Sequence, residues 1–441
     1  MVEIQIPEKV NKIIHTLQEH GYEAYAVGGC VRDSFLGREP MDWDITTSAM
    51  PEETKALFPH TFDTGIEHGT ITVLLDHEGF EVTTYRVDGK YEDSRHPKEV
   101  IFVRNLQEDL LRRDFTINAM AYNEKEGLVD IFGGMDDLKA GIIRCVGNAQ
   151  ARFSEDALRI LRGIRFAAQL GFELEDETRE GMRLLAPTLR KISAERIQVE
   201  LVKTLTSSRP DLLREAWKLG ITKEFLPEFD LAMETTQETV HHMYTVGEHI
   251  LHTLLEVRPD RILRLTMLLH DIGKPYMKTM DADGVAHFKG HPEKSSELAN
   301  EILHRLKFDN DTIRKVTKLV RYHDHRMPVT PAHVRRAVHE IGEDLFPFYL
   351  EVRRADVAAQ SMYQHKEKVA DIDGVEKLYH EIVERKECVS LKMLAVTGKD
   401  LIAAGMKPGK EIGQMLEHFL DLVLEHPELN QKEELLKRIE L

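Results

Sequence analysis

The sequence predicts an α+β protein in which a small mixed β-sheet with helices occupies the first third of the chain and helices alone form the rest. Two observations predict this class. Short β-like runs separated by Gly and Asp turns are confined to the segment before Gly147, and beyond it the apolar residues recur at helical spacing to the C-terminus. At 441 residues the chain is too long for one typical core, so two to four domains of roughly 100–200 residues each are expected.

The first elements are a helix and a strand that runs into two glycines. Residues 8–20 (EKVNKIIHTLQEH) predict an amphipathic helix stopped by Gly21, and YEAYAV predicts a short strand that ends at Gly28-Gly29. Turn residues then separate the later strand-like runs. These further strands are predicted at residues 43–46, 70–75, 80–85 and 100–103.

Composition excludes several classes of protein. The chain is 42% hydrophobic and 31% charged, and none of its apolar runs approaches the roughly 20 residues needed to span a bilayer. The start MVEIQIPEKV predicts no signal peptide, and the three cysteines form no C-x-x-C pair, so we expect a cytoplasmic protein with reduced thiols and no membrane partner. The net charge of −17 argues against an indiscriminate nucleic-acid binder, so any RNA contact must be local.

A first chemical site is predicted at the glycine turn. Gly28 and Gly29 let backbone N–H groups approach a phosphate, and Arg32 follows on the helix that the turn opens. Asp42 and Asp44 stand two apart in MDWDITT, and in a strand both carboxylates would face one point and could hold hard cations. Glu81, in the strand-like run EVTTYR, is a third candidate carboxylate.

Six motifs follow one another in the first half of the chain: G-G-C-V-R-D, M-D-W-D, E-H-G-T, E-V-T-T-Y-R, R-R-D-F-T-I-N-A and S-E-D-A-L-R. In this order they resemble the motif series of class II tRNA nucleotidyltransferases and bacterial poly(A) polymerases, over about residues 22–205. The resemblance implies attack of an RNA 3′-hydroxyl on the α-phosphate of CTP or ATP, with Mg²⁺ ions held by Asp42 and Asp44. It implies a tRNA 3′ end as the partner. The nucleotide-binding residues that it implies are Gly28, Gly29, Arg32, Arg112, Arg113, Asp114, Asn118, Asp156, Arg159, Arg162 and Arg165.

Asp156 and Arg159 carry the base choice in this interpretation. Their spacing of three predicts one face of a helix, where the alternative is an ordinary exposed ion pair. As a template, the carboxylate would accept from the exocyclic amine of cytosine or adenine and the guanidinium would donate to the adjacent ring nitrogen. Glu155 is expected to support this pair or to cap the helix, and Arg196 and Glu200 are expected to act as a structural brace.

The last two thirds of the chain carry a second set of candidate residues. His270-Asp271, in TMLLHDIGKP, resembles the signature of HD-domain phosphohydrolases, and 12 of the 22 histidines lie between His241 and His339. The resemblance implies one metal site built from His249, His270, Asp271 and Asp356, with His291 and His323 as a second. The metal would be a divalent transition metal or Mg²⁺. His242 is the rival of His249 for the first ligand, and the alternative is a domain that keeps these residues but mainly supports tRNA binding.

The predicted division is a nucleotidyltransferase head over residues 1–147, an all-α neck over 148–235, an HD domain over 236–360 and a helical tail that contacts tRNA over 361–441. Residues 85–102 resemble the loop that family members need to add the terminal A, which argues against CC-only addition. Two alternatives stay open at this point. One is an A-adding enzyme or poly(A) polymerase, and the other is an HD phosphohydrolase whose N-terminal module only binds nucleotide or tRNA.

Overall fold

A computed structural model describes residues 4–88 and 100–439, and the chain divides into two compact units, residues 1–227 and 228–441. Unit 1 contains the predicted mixed sheet, and unit 2 is almost entirely helical, so the α+β class is confirmed. The central part of the predicted loop, residues 89–99, lies outside the described residues. The finer division into four domains stays a prediction.

The sheet of unit 1 has seven strands in the order β3-β4-β5-β2-β1-β8-β9. The pair β2 and β5 is parallel, and the other neighbouring pairs are antiparallel. The strands of this sheet are β1 (Ala24–Val27), β2 (Ile45–Thr47), β3 (Thr61–Gly65), β4 (Thr70–Leu75), β5 (Glu78–Thr84), β8 (Met120–Asn123) and β9 (Gly127–Asp130). Four shorter strands make separate pairs in unit 1: β6 (Arg86–Asp88) with β7 (Val100–Phe102), and β10 (Ile142–Ile143) with β11 (Glu173–Leu174).

Helices cover the sheet and then continue unit 1. The first helix buries Val10, Ile13, Ile14 and Leu17, the apolar face that its sequence predicts. The helices are α1 (Glu8–Glu19), α2 (Gly29–Phe35), α3 (Pro51–Leu57), α4 (Leu106–Leu111), α5 (Gly134–Ala140), α6 (Ala149–Glu155), α7 (Leu158–Leu170), α8 (Asp176–Leu185), α9 (Ala194–Leu205) and α10 (Leu213–Lys218). Helix α11 (Pro227–Glu234) begins at the last residue of the unit.

Unit 2 packs its helices around two apolar clusters, one centred on Phe346 and Val338 and one on Phe419 and Leu401. Its helices are α12 (Val246–Glu256), α13 (Arg261–Leu269), α14 (Lys274–Met277), α15 (His291–Arg305), α16 (Asn310–Tyr322), α17 (Pro331–Ile341), α18 (Phe346–Ala358), α19 (His365–Glu384), α20 (Gly398–Ala403), α21 (Lys410–Glu425) and α22 (Lys432–Leu436). Its one described strand pair is β12 (Thr279–Met280) with β13 (Ala286–His287).

The predicted strands hold with one informative exception. The strand at residues 70–75 is confirmed by β4, and that at 80–85 by β5 with a shift at its start. The strand predicted over 43–46 begins only at Ile45, so Asp42 and Asp44 precede it. The reason is that β1 ends at Val27, where the chain turns into α2, so residues before Asp44 have no neighbouring strand on that side.

Candidate functional site

The glycine turn lies at the end of β1, where Gly28 has a φ of +83° and the chain enters α2. L-residues with a side chain rarely adopt this conformation. A Cβ at Gly28 would also lie 2.9 Å from the Nη1 atom of Arg113. The turn therefore brings backbone directly against one of the arginines expected to bind the triphosphate.

Asp44 lies beside this turn, because its backbone carbonyl accepts a hydrogen bond of 3.0 Å from the N–H of Val27. Its side chain lines the same cleft as Gly28 and Arg113. The walls of the cleft partly desolvate the Asp44 carboxylate and raise its pKa although the residue keeps an exposed surface, Arg113 opposes that effect, and Asp42 adds to it. The two aspartates therefore share one electrostatic environment although they lie outside the strand that the sequence predicted for them.

Glu81 lies in β5, one residue before Val82, which pairs in parallel register with Ile45. Asp44 is likewise one residue before Ile45, so the two carboxylates start from the same level of the sheet. The Glu81 side chain is exposed. In the described residues, three or more ligand atoms lie within 4.8 Å of one another only in unit 2, so the three head carboxylates do not form so tight a group.

Arg112 and Arg113 are held by Asp109, a residue that the sequence analysis did not single out. Arg112 donates to Asp109 Oδ1 through Nε (2.9 Å) and Nη2 (2.8 Å), and Arg113 Nη2 lies 3.7 Å from Asp109 Oδ2. Asp109 is fully buried and also accepts from Thr46 Oγ1 at 3.1 Å. Residues three and four apart on a helix are neighbours, so the position of Asp109 before the Arg-Arg pair indicates from sequence that it could contact both arginines.

Asp114, Asn118 and Arg32 form a buried chain of hydrogen bonds. Asn118 donates to Asp114 Oδ1 (3.1 Å) and accepts from Arg32 Nη1 (2.6 Å), and Arg162 Nε donates to Asp114 Oδ2 (2.7 Å). Burial alone would raise the pKa of Asp114, but the charge of Arg162 and the hydrogen bonds lower it to about 2. Asp114 thus orients Asn118 and Arg162 with its own oxygens.

Phe166 is a further residue that sequence reasoning missed. The guanidinium groups of Arg32, Arg162 and Arg165 lie 5.1, 5.3 and 4.1 Å from its ring centre. Arg165 is buried, forms an ion pair of 3.1 Å with Glu200, and is not among the residues that line the cleft. Its predicted contact with the nucleotide stays a prediction, whereas the brace expected of Glu200 agrees with this ion pair.

Asp156 and Arg159 both line the cleft, but they do not share a helix face as the spacing predicted. Asp156 is extended at the C-terminal end of α6, and Arg159 lies in the first turn of α7. The extended backbone of Asp156 interrupts the helix between the two residues, so the prediction that both lie on one continuous helix is wrong. Asp156 Oδ2 accepts from Arg196 (2.8 Å), while Arg159 donates to Glu155 Oε2 (2.6 Å), in agreement with the support expected of Glu155.

These side chains surround a cleft of about 420 Å³ in unit 1, a volume in the range of ligand sites. Its lining combines a glycine turn, three aspartates and six arginines. The residues are Gly28, Gly29, Arg32, Asp44, Arg112, Arg113, Asp114, Asn118, Asp156, Leu158, Arg159, Arg162, Phe166 and Arg196. Such a cationic cleft beside exposed carboxylates suits a polyanionic ligand that arrives with metal ions.

Unit 2 contains a second site centred on Asp271. Asp271 Oδ2 lies 3.5 Å from His249 Nε2 and 3.3 Å from His270 Nε2, and Asp356 Oδ1 lies 3.0 Å from His249 Nε2. Asp271 Oδ1 faces the other way and lies 3.4 Å from the Nε2 atoms of both His291 and His323. One carboxylate therefore stands between two pairs of histidines.

The four histidines are oriented in the same way. The Nδ1 atom of each lies within hydrogen-bond distance of a backbone carbonyl: Ala359 for His249, Met267 for His270, Phe288 for His291 and Val320 for His323. A carbonyl can only accept, so each Nδ1 carries a proton, and in the neutral form that binds a metal each Nε2 offers a lone pair on the side of Asp271. This orientation is typical of histidines that bind metals.

The donor set fits a divalent metal pair. Among the described residues, neither side-chain oxygen of the buried Asp271 accepts a hydrogen bond of good geometry, although Lys274 Nζ forms an ion pair of 2.7 Å with Oδ2. Burial opposes ionisation of Asp271, but His270 and Lys274 hold its pKa well below the usual range. His242 stands outside both ligand groups, with its ring centre 4.8 Å from that of His249 and its Nε2 3.4 Å from Lys274 Nζ.

No helix in the described part of the chain is long and apolar enough to cross a membrane.

The mixed sheet with a glycine turn, adjacent aspartates and an arginine-lined cleft defines a nucleotidyltransferase. Three family models match the chain: the poly A polymerase head domain over residues 24–144, the probable RNA and SrmB-binding site of polymerase A over 171–233, and the putative tRNA nucleotidyltransferase domain 2 over 287–439.

Full-length relatives make the assignment specific. The chain is 36% identical to the CCA-adding enzyme of Levilactobacillus brevis, over 93% of this chain and 91% of that one, and 34% identical to that of Limosilactobacillus reuteri, over 98% and 96%. The solved CCA-adding enzyme of Bacillus stearothermophilus in complex with CTP has a TM-score of 0.73 at 28% identity, with 98% of both chains covered. The chain belongs to the CCA-adding enzyme family and is a tRNA nucleotidyltransferase, as the motif series predicted.

Proposed function

We propose that the cleft of unit 1 adds C, C and A to the tRNA 3′ end from CTP and ATP by phosphoryl transfer with two metal ions. The observation that carries this is the position of Asp44 in the same cleft as Gly28 and Arg113. The related enzymes from lactobacilli are named CCA-adding enzymes, which favours this function over A-only addition or poly(A) synthesis.

In this proposal Asp42 and Asp44 hold Mg²⁺, which fits exposed carboxylates that share one electrostatic environment. The ions supply activation of the attacking 3′-oxygen and neutralise the leaving pyrophosphate. Arg112 and Arg113 bind triphosphate oxygens, and Asp109 keeps both guanidiniums aimed at the cleft. The backbone at Gly28 allows the phosphates to approach without a side chain in the way.

Asp156 and Arg159 select the base. The Asp156 carboxylate accepts from the exocyclic amine that cytosine and adenine share, and Arg159 donates to the neighbouring ring nitrogen. Uracil and guanine present a carbonyl and an N–H instead, which would leave buried polar groups unpaired. Contacts from Arg196 and Glu155 support this interpretation, because Arg196 orients the Asp156 side chain and Glu155 orients the Arg159 side chain.

Extension of tRNAs that end before the first C, before the second C and before the A, with CTP and ATP supplied separately, tests the proposal. All three tRNAs should be extended by the nucleotide that comes next. Asp44→Asn should lose extension, whereas Asp136→Asn, which removes an exposed carboxylate from the start of α5, should keep it. Extension of the last substrate alone would contradict CCA addition, and an active Asp44→Asn protein would contradict the metal assignment.

We propose in addition that unit 2 is an HD-type domain with a metal-dependent phosphohydrolase site. The cluster of His249, His270, Asp271 and Asp356, with His291 and His323 on the other side of Asp271, supports this. When bound, the metals would supply a hydroxide that attacks a phosphoester. The chain's own part is to direct two pairs of Nε2 atoms at the two oxygens of Asp271 and to line the surrounding cleft with the cations Lys274 and Arg326.

Metal analysis and phosphodiester hydrolysis test this second proposal together. The purified chain should retain Mn²⁺ or another divalent metal and hydrolyse bis-p-nitrophenyl phosphate. His270→Ala should lose both properties, and His380→Ala, which removes an exposed histidine from α19, should lose neither. Metal retention without hydrolysis would support instead a domain that mainly serves tRNA binding.

A further inference from the structure

A small pocket in unit 2 adjoins the cleft of the metal cluster. Apolar side chains of α18 and α19 form much of its wall, among them Leu350, Val357 and Ile372. Arg326 and Gln360 line both this pocket and the cluster cleft. The pocket is therefore placed to affect the cluster without containing any of its proposed ligands.

The charge of this pocket is set by Arg326, Arg353 and Lys368. Asp324 neutralises part of the first two, at 3.3 Å from Arg326 and 3.4 Å from Arg353, and the exposed Asp371 adds a carboxylate to the lining. A cluster of three cations in a partly apolar pocket attracts an anion.

Lys368 is the cation of this pocket for which the described residues provide no direct ion pair. In the described part of the chain its Nζ pairs only with neutral groups, Gln360 Oε1 at 2.8 Å and His241 Nδ1 at 3.3 Å. An ammonium has three donors, so one is left for a ligand. Partial burial, followed by the charge of Arg326, lowers the pKa of Lys368, and the more distant charges of Asp356 and Asp324 only partly oppose this effect.

The size of the pocket limits its ligand. Its free volume is about 70 Å³, and since one water needs roughly 10–15 Å³ of such volume, the pocket has room for about five to seven water-sized groups. A tetrahedral oxyanion fits this room, whereas a nucleotide exceeds it. We propose that this pocket binds free inorganic phosphate. The site needs no metal, and it rests on the proposed hydrolase function only for the source of that phosphate.

Gln360 connects the pocket to the cluster. Its Oε1 accepts from Lys368 and its Nε2 donates to Asp356 Oδ2 at 3.0 Å. A phosphate that draws Lys368 away changes the hydrogen bond that Gln360 makes to a proposed metal ligand, and its negative charge favours a cation nearby. Binding free energies are coupled reciprocally, so phosphate in the pocket raises the affinity of the cluster for Mn²⁺.

Equilibrium dialysis of the full chain with radiolabelled phosphate, after removal of metals by a chelator, tests the site. The chain should show saturable phosphate binding with a component that belongs to this pocket, and Lys368→Met should weaken that component about tenfold or more. Arg326→Gln, at an exposed position where folding is not at risk, should also weaken it. Lys377→Met removes an exposed lysine from the same helix and should leave binding unchanged.

Equal phosphate binding by the wild type and Lys368→Met, or binding that does not saturate, would overturn the site. AMP that competes as strongly as phosphate would overturn the assignment to the free ion, because the phosphate would then belong to a nucleotide. Mn²⁺ affinity measured with and without phosphate tests the connection through Gln360. An enhancement of equal size in the wild type and Lys368→Met would refute it, since phosphate bound directly to the metal persists in the variant.

Discussion

Arg196 of α9 donates a hydrogen bond of 2.8 Å to Asp156 Oδ2, and Asp156 Oδ1 accepts from the backbone N–H of Leu158 at 3.0 Å. Each oxygen of the proposed template carboxylate is therefore already aligned by the protein. Arg196 reaches it from a helix 40 residues further along the chain. The residue expected only to brace the neck thus contacts the residue expected to read the base.

Arg196→Met should reduce base selectivity more than nucleotide binding. Loss of a charge-assisted hydrogen bond of roughly 1.5–3 kcal/mol frees the Asp156 carboxylate to rotate, so discrimination of CTP from UTP should fall by about tenfold or more. Single-nucleotide incorporation rates for CTP, ATP, UTP and GTP measure this. Arg183→Met is the matched control, because Arg183 is exposed and paired with the exposed Glu180. Selectivity that stays at the wild-type value would contradict a role for Arg196 in orienting the template.

The spacing of Asp156 and Arg159 shows where sequence reasoning reached its limit. It identified both residues, since their identity and order carry the family resemblance, but it placed them on one helix. The extended conformation of Asp156 separates α6 from α7, and a spacing rule for continuous helices cannot reveal such a break. The prediction that Asp42 and Asp44 lie within a strand was wrong for a similar reason, because strand β2 starts only where β1 supplies a partner. By contrast β4, with its six consecutive Thr, Ile, Val and Leu residues, was predicted residue for residue.

Gly28→Ala should damage nucleotide binding beyond the cost of backbone strain. At φ +83° and ψ −128° Gly28 lies in a region that residues with a side chain rarely adopt, so alanine there costs roughly 1–3 kcal/mol, and the new Cβ would displace Arg113 from 2.9 Å. Gly127→Ala is the control for a positive φ alone, with a φ of +75° and no heavy atom within 4 Å of its Cβ. Denaturant unfolding should show that both variants are destabilised, Gly28→Ala by more. Calorimetric CTP affinity should fall only in Gly28→Ala, and an equal fall in Gly127→Ala would show that strain alone is responsible.

Asp114→Asn should destabilise the protein in a way that depends on pH. The pKa of Asp114 is lowered from 3.8 to about 2 in the folded state, so its ionised form stabilises the fold at pH values above about 4, and this contribution is lost as the pH falls towards 2. The shift corresponds to on the order of 2 kcal/mol. The free energies of unfolding of the wild type and the variant in urea should therefore differ most above about pH 4, and the difference should shrink as the pH falls towards 2. A difference that does not change with pH would refute the lowered pKa, and Asp136→Asn should show little difference at any pH.

Asp271→Asn should abolish binding of both metals by unit 2, whereas His323→Ala should remove only one. Asp271 Oδ2 faces His249 and His270, and its Oδ1 faces His291 and His323. Neutralising Asp271 therefore removes the negative charge that both metal positions share. His323 stands on one side only. Dialysis against Mn²⁺ followed by elemental analysis gives the stoichiometry. Because loss of a group that only orients a ligand costs roughly 10–100-fold in metal affinity, loss of a ligand itself should cost at least that much. Loss of both metals from His323→Ala, or retention of one metal by Asp271→Asn, would show that the Asp271 carboxylate is not shared by two separate metal sites.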